Sequence, residues 1–129
     1  GEDIDTGGPR PMGTGCGSSS GNSALYYSVT VPAGGAVSVT TTGSVDRVLL
    51  VQDSCGATEC TYRTDSSPES ATLTNTTGSP ITQIVAVHNY SSSGSGTYDI
   101  TFTYGTLPTN VTCAGATAIT ADTTITGEI

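Results

Sequence analysis

From residue 24 onward the chain alternates apolar and polar side chains in short runs, broken by turn-forming residues at intervals of about eight to twelve positions. The clearest run is 96–104. There Tyr98, Ile100, Phe102 and Tyr104 share one face and Asp99, Thr101 and Thr103 the other, the period of two that belongs to a β-strand. Residues 47–53 hold the continuous stretch Val48-Leu49-Leu50-Val51, suited to a strand buried on both sides. Further strands are expected over 24–31, which ends in the turn composition Pro32-Ala33-Gly34-Gly35, and over 36–42, 60–64, 70–74, 81–90, 111–120 and 123–129. Apolar residues nowhere recur at helical spacing over three turns, and β-branched Thr and Val dominate. The expected fold is all-β, an antiparallel β-sandwich or jelly roll. Val48, Leu50, Ile84, Val85, Val87, Ile100 and Phe102 are expected to fill the space between its two sheets. Residues 1–23, rich in Gly, Pro and Ser, read as an irregular lead-in.

At 129 residues the chain is expected to form one domain. Its net charge is -8, its only basic residues besides His88 are Arg10, Arg47 and Arg63, and it has no Lys. Displacing counterions from nucleic acid needs clustered basic residues, so nucleic acid is excluded as a partner. Attraction to anionic lipid fails for the same reason. The missing Lys also rules out Lys–Asn isopeptide cross-links. No apolar run approaches the roughly 20 residues of a membrane helix and no signal peptide is present, so the chain is expected to be mature or internal to a longer precursor. Four Cys in a Thr-rich chain of low charge point to disulfides in an oxidising, extracellular setting. Their spacing does not suit zinc. Cys55 and Cys60 are expected to form one bridge, closing a small loop after the 47–53 strand.

The acidic residues gather at the start (Glu2, Asp3, Asp5) and around loops (Asp46, Asp53, Glu59, Asp65, Glu69), where solvated charge is the expected role. Asp3, Asp5, Asp46 and Asp53 are the candidate calcium ligands, calcium being the only cofactor entertained, although no Asp-x-Asp-x-Asp-Gly run is present. His88 is the only imidazole, no Gly-x-Ser-x-Gly elbow occurs, and His88 reads as a strand residue facing solvent or a neighbouring strand. The chain is expected to be non-enzymatic. Asn75, Asn89 and Asn110 stand in Asn-x-Ser/Thr sequons and are candidate glycosylation sites.

The segments Leu25-Tyr26-Tyr27-Ser28-Val29-Thr30-Val31-Pro32 and Asp46-Arg47-Val48-Leu49-Leu50-Val51-Gln52-Asp53-Ser54-Cys55-Gly56, followed by Cys60, resemble the bacterial pre-peptidase C-terminal domain. Gly96-Thr97-Tyr98-Asp99-Ile100 is similar to that family's last strand. The resemblance implies a non-catalytic β-sandwich attached to a secreted protein, with some relatives binding calcium or a matrix ligand. It also implies that Cys113, in the opening-strand motif, pairs with Cys16, in the Gly-rich turn, either within one molecule or between neighbours.

The order departs from the family. Asn110-Val111-Thr112-Cys113-Ala114-Gly115-Ala116 looks like an opening strand yet comes near the end, after a break at Pro108, while Cys16-Gly17 comes first. Thr126-Gly127-Glu128-Ile129 nearly restates Gly1-Glu2-Asp3-Ile4. Residues 1–109 therefore read as a sandwich module with its lead-in, and 110–129 as a strand segment completing the next module or its own. The expected function is that of an extracellular or cell-surface structural protein, a repeat unit or subunit of a filament or stalk. Its partner is itself, joined head-to-tail by strand donation and disulfides. The alternative is an accessory module of a secreted hydrolase that binds matrix or glycans, with calcium.

Overall fold

The computed structural model describes residues 1–126. The Gly127-Glu128-Ile129 part of the terminal echo, which also ends the strand expected over 123–129, lies outside the described residues. The fold is a sandwich of two four-stranded antiparallel sheets. One sheet is ordered β1 (Glu2–Asp3), β8 (Thr97–Thr106), β3 (Gly35–Gly43), β6 (Glu69–Thr74). The other is ordered β2 (Ala24–Val31), β7 (Ile81–Asn89), β4 (Arg47–Gln52), β5 (Tyr62–Thr64).

The main core lies between the sheets. Val29 and Val31 of β2, Leu49 and Val51 of β4 and Val85 of β7 face Val37 and Val39 of β3 and Leu73 of β6. β4 is buried along its whole length, as its continuous apolar run requires. Its two faces go to different places. Leu49 and Val51 enter the main core, whereas Val48 and Leu50 pack with Ala86, Cys16 and Cys60 in a second cluster. Val48 and Leu50 are thus buried, but under the lead-in rather than between the sheets.

The lead-in is irregular yet tied down. Arg10 is 7% exposed, and its guanidinium donates to the carbonyl oxygens of Pro11, Cys16, Gly17 and Ser19 and to the Ser19 hydroxyl. A planar fork of five N–H donors can organise a loop that has no ladder of its own. Gly21 donates its N–H to the Tyr90 carbonyl, and a Cβ there would sit 1.5 Å from the Asn89 oxygen, so only glycine fits that approach.

The disulfide pairing differs from both expected bridges. Cys16 is joined to Cys60, with Cα atoms 5.0 Å apart, while Cys55 and Cys113 are free and exposed. A short parallel bridge between Thr14 and Glu59, with the Cys60 N–H donating to the Thr14 carbonyl at 2.8 Å, brings Cys16 against Cys60. The loop after β4 is held by another device. Buried Gln52 donates from its side-chain amide to the carbonyls of Ala57 and Glu59.

A buried ion pair joins the sheets at one end. The Arg47 guanidinium lies 2.8 Å from the Glu69 carboxylate, both side chains 3% exposed. Thr41 donates its hydroxyl to the same carboxylate oxygen at 2.7 Å, and Arg47 also donates to the carbonyls of Thr41, Gly43 and Val45. Glu69 is therefore not a solvated loop charge. The register places it directly opposite Thr41, at the start of β6.

Beyond Thr106 the strand expected over 111–120 is not formed. Leu107 donates its N–H to the Gly34 carbonyl, and two short 3-10 turns follow, Thr109–Val111 and Cys113–Gly115. The Thr112 hydroxyl accepts from the Gly115 N–H. A strand needs a neighbour to receive its backbone hydrogen bonds, and in the single chain this segment lies along no sheet edge. Local turns satisfy part of its backbone instead.

Candidate functional site

The two sheets are open along one side. β2 pairs with β7 along its whole length, and among the described residues its other edge is met only at Ala24, by an isolated antiparallel bridge to Gly8 of the lead-in. β8 pairs with β3 over its length, but on its outer edge β1 covers only Thr97 and Tyr98. Between these edges runs a groove of about 490 Å³ lined by Tyr26, Tyr27, Ser28, Val29, Phe102 and Tyr104.

The period-two face of β8 shows what the missing neighbour does. Tyr98, beside β1, is 1% exposed, Ile100 and Phe102 are half-buried, and Tyr104 is 56% exposed. Ile100 and Phe102 pack against the main core, as expected from sequence, but are only partly buried where β1 no longer covers the edge. Tyr27 fills part of the gap. Its ring lies 5.7 Å from that of Phe102, and its hydroxyl shares a 2.6 Å hydrogen bond with that of Tyr98. Burial raises both phenols above their ordinary range, so this pair stays neutral.

The opposite open side is chemically different. There β5 and β6 flank a hollow lined by Thr61, Tyr62, Ser70, Thr72, Thr74 and Gln83, among others, and Tyr62 donates its hydroxyl across the gap to the Ser70 carbonyl. This second gap has five hydroxyl side chains, one of them on its single aromatic ring, Tyr62, together with Val51, Ala71 and Leu73, whereas four aromatic rings line the first. An exposed apolar edge is the one that a further strand would cover.

The tail carries exposed apolar side chains. Val111, Ile119 and Ile125 are 47%, 56% and 66% exposed. Cys55 is outside the groove's lining but linked to it through Tyr26. It borders a smaller hollow with Pro9, Arg10, Gln52 and Tyr26, and Tyr26 also lines the groove.

Other predicted site residues are placed differently. The acidic candidates are scattered, with Asp3 ending β1, Asp5 in the turn that follows, and Asp46 and Asp53 at opposite ends of β4, about 23 Å apart at the rise of a strand. Among the described residues no three His, Cys, Asp or Glu side chains are grouped to hold a metal ion. Asn75 is 1% exposed, and its amide donates to the carbonyls of Val31 and Ser79. Asn89 is 2% exposed, accepts from the N–H groups of Asn22 and Ser23, and donates to Gly94. A glycan on either amide would have to enter the packed interior. Both are structural asparagines, and only Asn110 is exposed.

His88 is a strand residue of β7, in register with Ala24 of β2 and Val48 of β4, and is wholly buried, so of the two expected settings it does not face solvent. Its Nδ1 lies 2.7 Å from the Asn89 carbonyl, Nε2 has no hydrogen-bond partner, and burial lowers its pKa to about 4. It is a neutral core residue at pH 7. Among the described residues no helix is long and apolar enough to cross a membrane.

No family model, curated protein or solved structure matches this chain.

Proposed function

We propose that this chain is a non-enzymatic structural subunit that assembles head-to-tail outside the cell, the tail of one copy lying in the β2/β8 groove of the next. One observation carries this reading. The chain has a largely unpaired, aromatic-lined sheet edge and, directly after β8, a Thr-rich segment that joins no sheet and exposes Val111, Ile119 and Ile125. β1 supports the direction of docking, since it already pairs antiparallel with the first residues of β8, leaving 100–106 as the continuation of its line. That open stretch is about 23 Å long at the rise of a strand. Residues 107–126, fully extended, span about 65 Å, enough to leave one sandwich and run the groove of another.

Groove and tail are different surfaces, so the contact is heterologous and propagates into a fibre unless it closes a ring. Donated main-chain hydrogen bonds supply affinity, and side chains facing Tyr27 and Phe102 supply specificity. The buried disulfide supports an oxidising, extracellular location. The resemblance to the pre-peptidase C-terminal domain, a secreted β-sandwich, belongs to the same proposal.

Sedimentation and negative-stain electron microscopy test it with three chains. The full chain is expected to form filaments. A chain ending at Thr109 and a full-length Phe102→Asp variant are expected to remain folded monomers. Assembly by the shortened chain would refute strand donation.

A further inference from the structure

The structure leaves two thiols unused. Cys16 and Cys60 are joined and buried, so their bridge is shielded from attack by another thiolate. Cys55 and Cys113 are both free and exposed. Cys113 is the tail's only cysteine. Cys55 stands on the hollow that shares Tyr26 with the groove.

We propose that Cys55 of one copy and Cys113 of the next form an intermolecular disulfide that locks the docked tail, an inference that rests on the head-to-tail reading. A two-fold contact would use both thiol pairs reciprocally and close at a dimer. A heterologous contact pairs unlike residues, so each copy offers one thiol as donor of a tail and the other as acceptor. The links then run covalently along the whole assembly.

The oxidant is a low-molecular-weight disulfide. The Cys113 thiolate attacks one of its sulfurs and releases one small thiol, leaving a mixed disulfide. The Cys55 thiolate attacks the Cys113 sulfur and releases the second. Two protein thiols and one small disulfide become one protein disulfide and two small thiols. The docked tail must bring the two Cα atoms to roughly 4.4–6.8 Å.

The test uses full-length protein, half of it labelled with nitrogen-15, oxidised with glutathione disulfide and analysed by non-reducing electrophoresis and cross-linked peptide mass spectrometry. The expected result is a ladder of multiples that collapses on reduction, with a Cys55–Cys113 peptide pair of mixed isotopes. Neither Cys55→Ser nor Cys113→Ser is expected to form the ladder alone, although both still give filaments by microscopy. Mixing the two variants is expected to restore a covalent dimer and nothing larger.

Pairs of one isotope only, a Cys113–Cys113 pair, or free thiols in intact filaments would each overturn the bridge and leave strand donation standing. Absence of filaments in wild type and both serine variants would overturn strand donation, and the bridge with it.

Discussion

Replacing Glu69 by Gln keeps the side chain's shape and an acceptor for the Thr41 hydroxyl but leaves the Arg47 guanidinium buried without a counter-charge. Breaking a buried ion pair by removing one partner costs about 3–5 kcal/mol. The lower figure applies here, because Arg47 keeps the carbonyls of Thr41, Gly43 and Val45. Arg47→Met should be worse, at about 5 kcal/mol, since it strands the carboxylate and those three carbonyls together. The double variant removes both charges, so the two costs should fall short of adding, with a coupling of about 2 kcal/mol. Urea unfolding at pH 7 measures all four proteins, with equal slopes required for comparison. A cost under about 1 kcal/mol for Glu69→Gln, with a double variant additive to within about 0.5 kcal/mol, would show a solvated pair and refute the reasoning.

Two further outcomes follow from the buried groups. Replacing Cys16 and Cys60 by Ala opens a closure spanning 44 residues and should cost about 4 kcal/mol on the chain-entropy scale; Cys55→Ser should leave the unfolding midpoint of the monomer unchanged, and the opposite pattern would restore the Cys55–Cys60 pairing. His88 is held neutral in the fold down to about pH 4. Above about pH 6.5 neither state carries the proton, and below it the unfolded chain takes the proton first, so stability should fall by on the order of 2–3 kcal/mol between pH 6.5 and 4. His88→Gln should flatten that part of the unfolding profile.

The strands were legible because their signal is local. β8 announces itself in Tyr98, Ile100, Phe102 and Tyr104, and β4 in its unbroken apolar run. What the chain conceals depends on partners distant in sequence. Cys60 lies five residues from Cys55, yet its partner is Cys16, set by how Arg10 and the Thr14–Glu59 bridge fold the lead-in. Glu69 looks like any loop carboxylate until the β3–β6 register sets it beside Thr41 and Arg47. Asn75 and Asn89 match sequons, but their amides serve turns whose other halves lie elsewhere in the chain. The groove has no sequence signature at all, since an unpaired edge is a property of strand order. Only the displaced opening-strand motif at 110–116, the break at Pro108 and the echo of Gly1-Glu2-Asp3-Ile4 at the end hinted at a need for one.

Amide hydrogen exchange by mass spectrometry, comparing dilute monomer with assembled protein, tests strand donation most directly. A paired edge exchanges slowly because its N–H groups must first be released. On assembly, peptides from β2, from β8 and from 107–126 are expected to gain protection, while those from β5 and β6 keep their monomer rates. Protection gained at β5 and β6 instead, or a tail that exchanges as fast in the assembly as in the monomer, would contradict it.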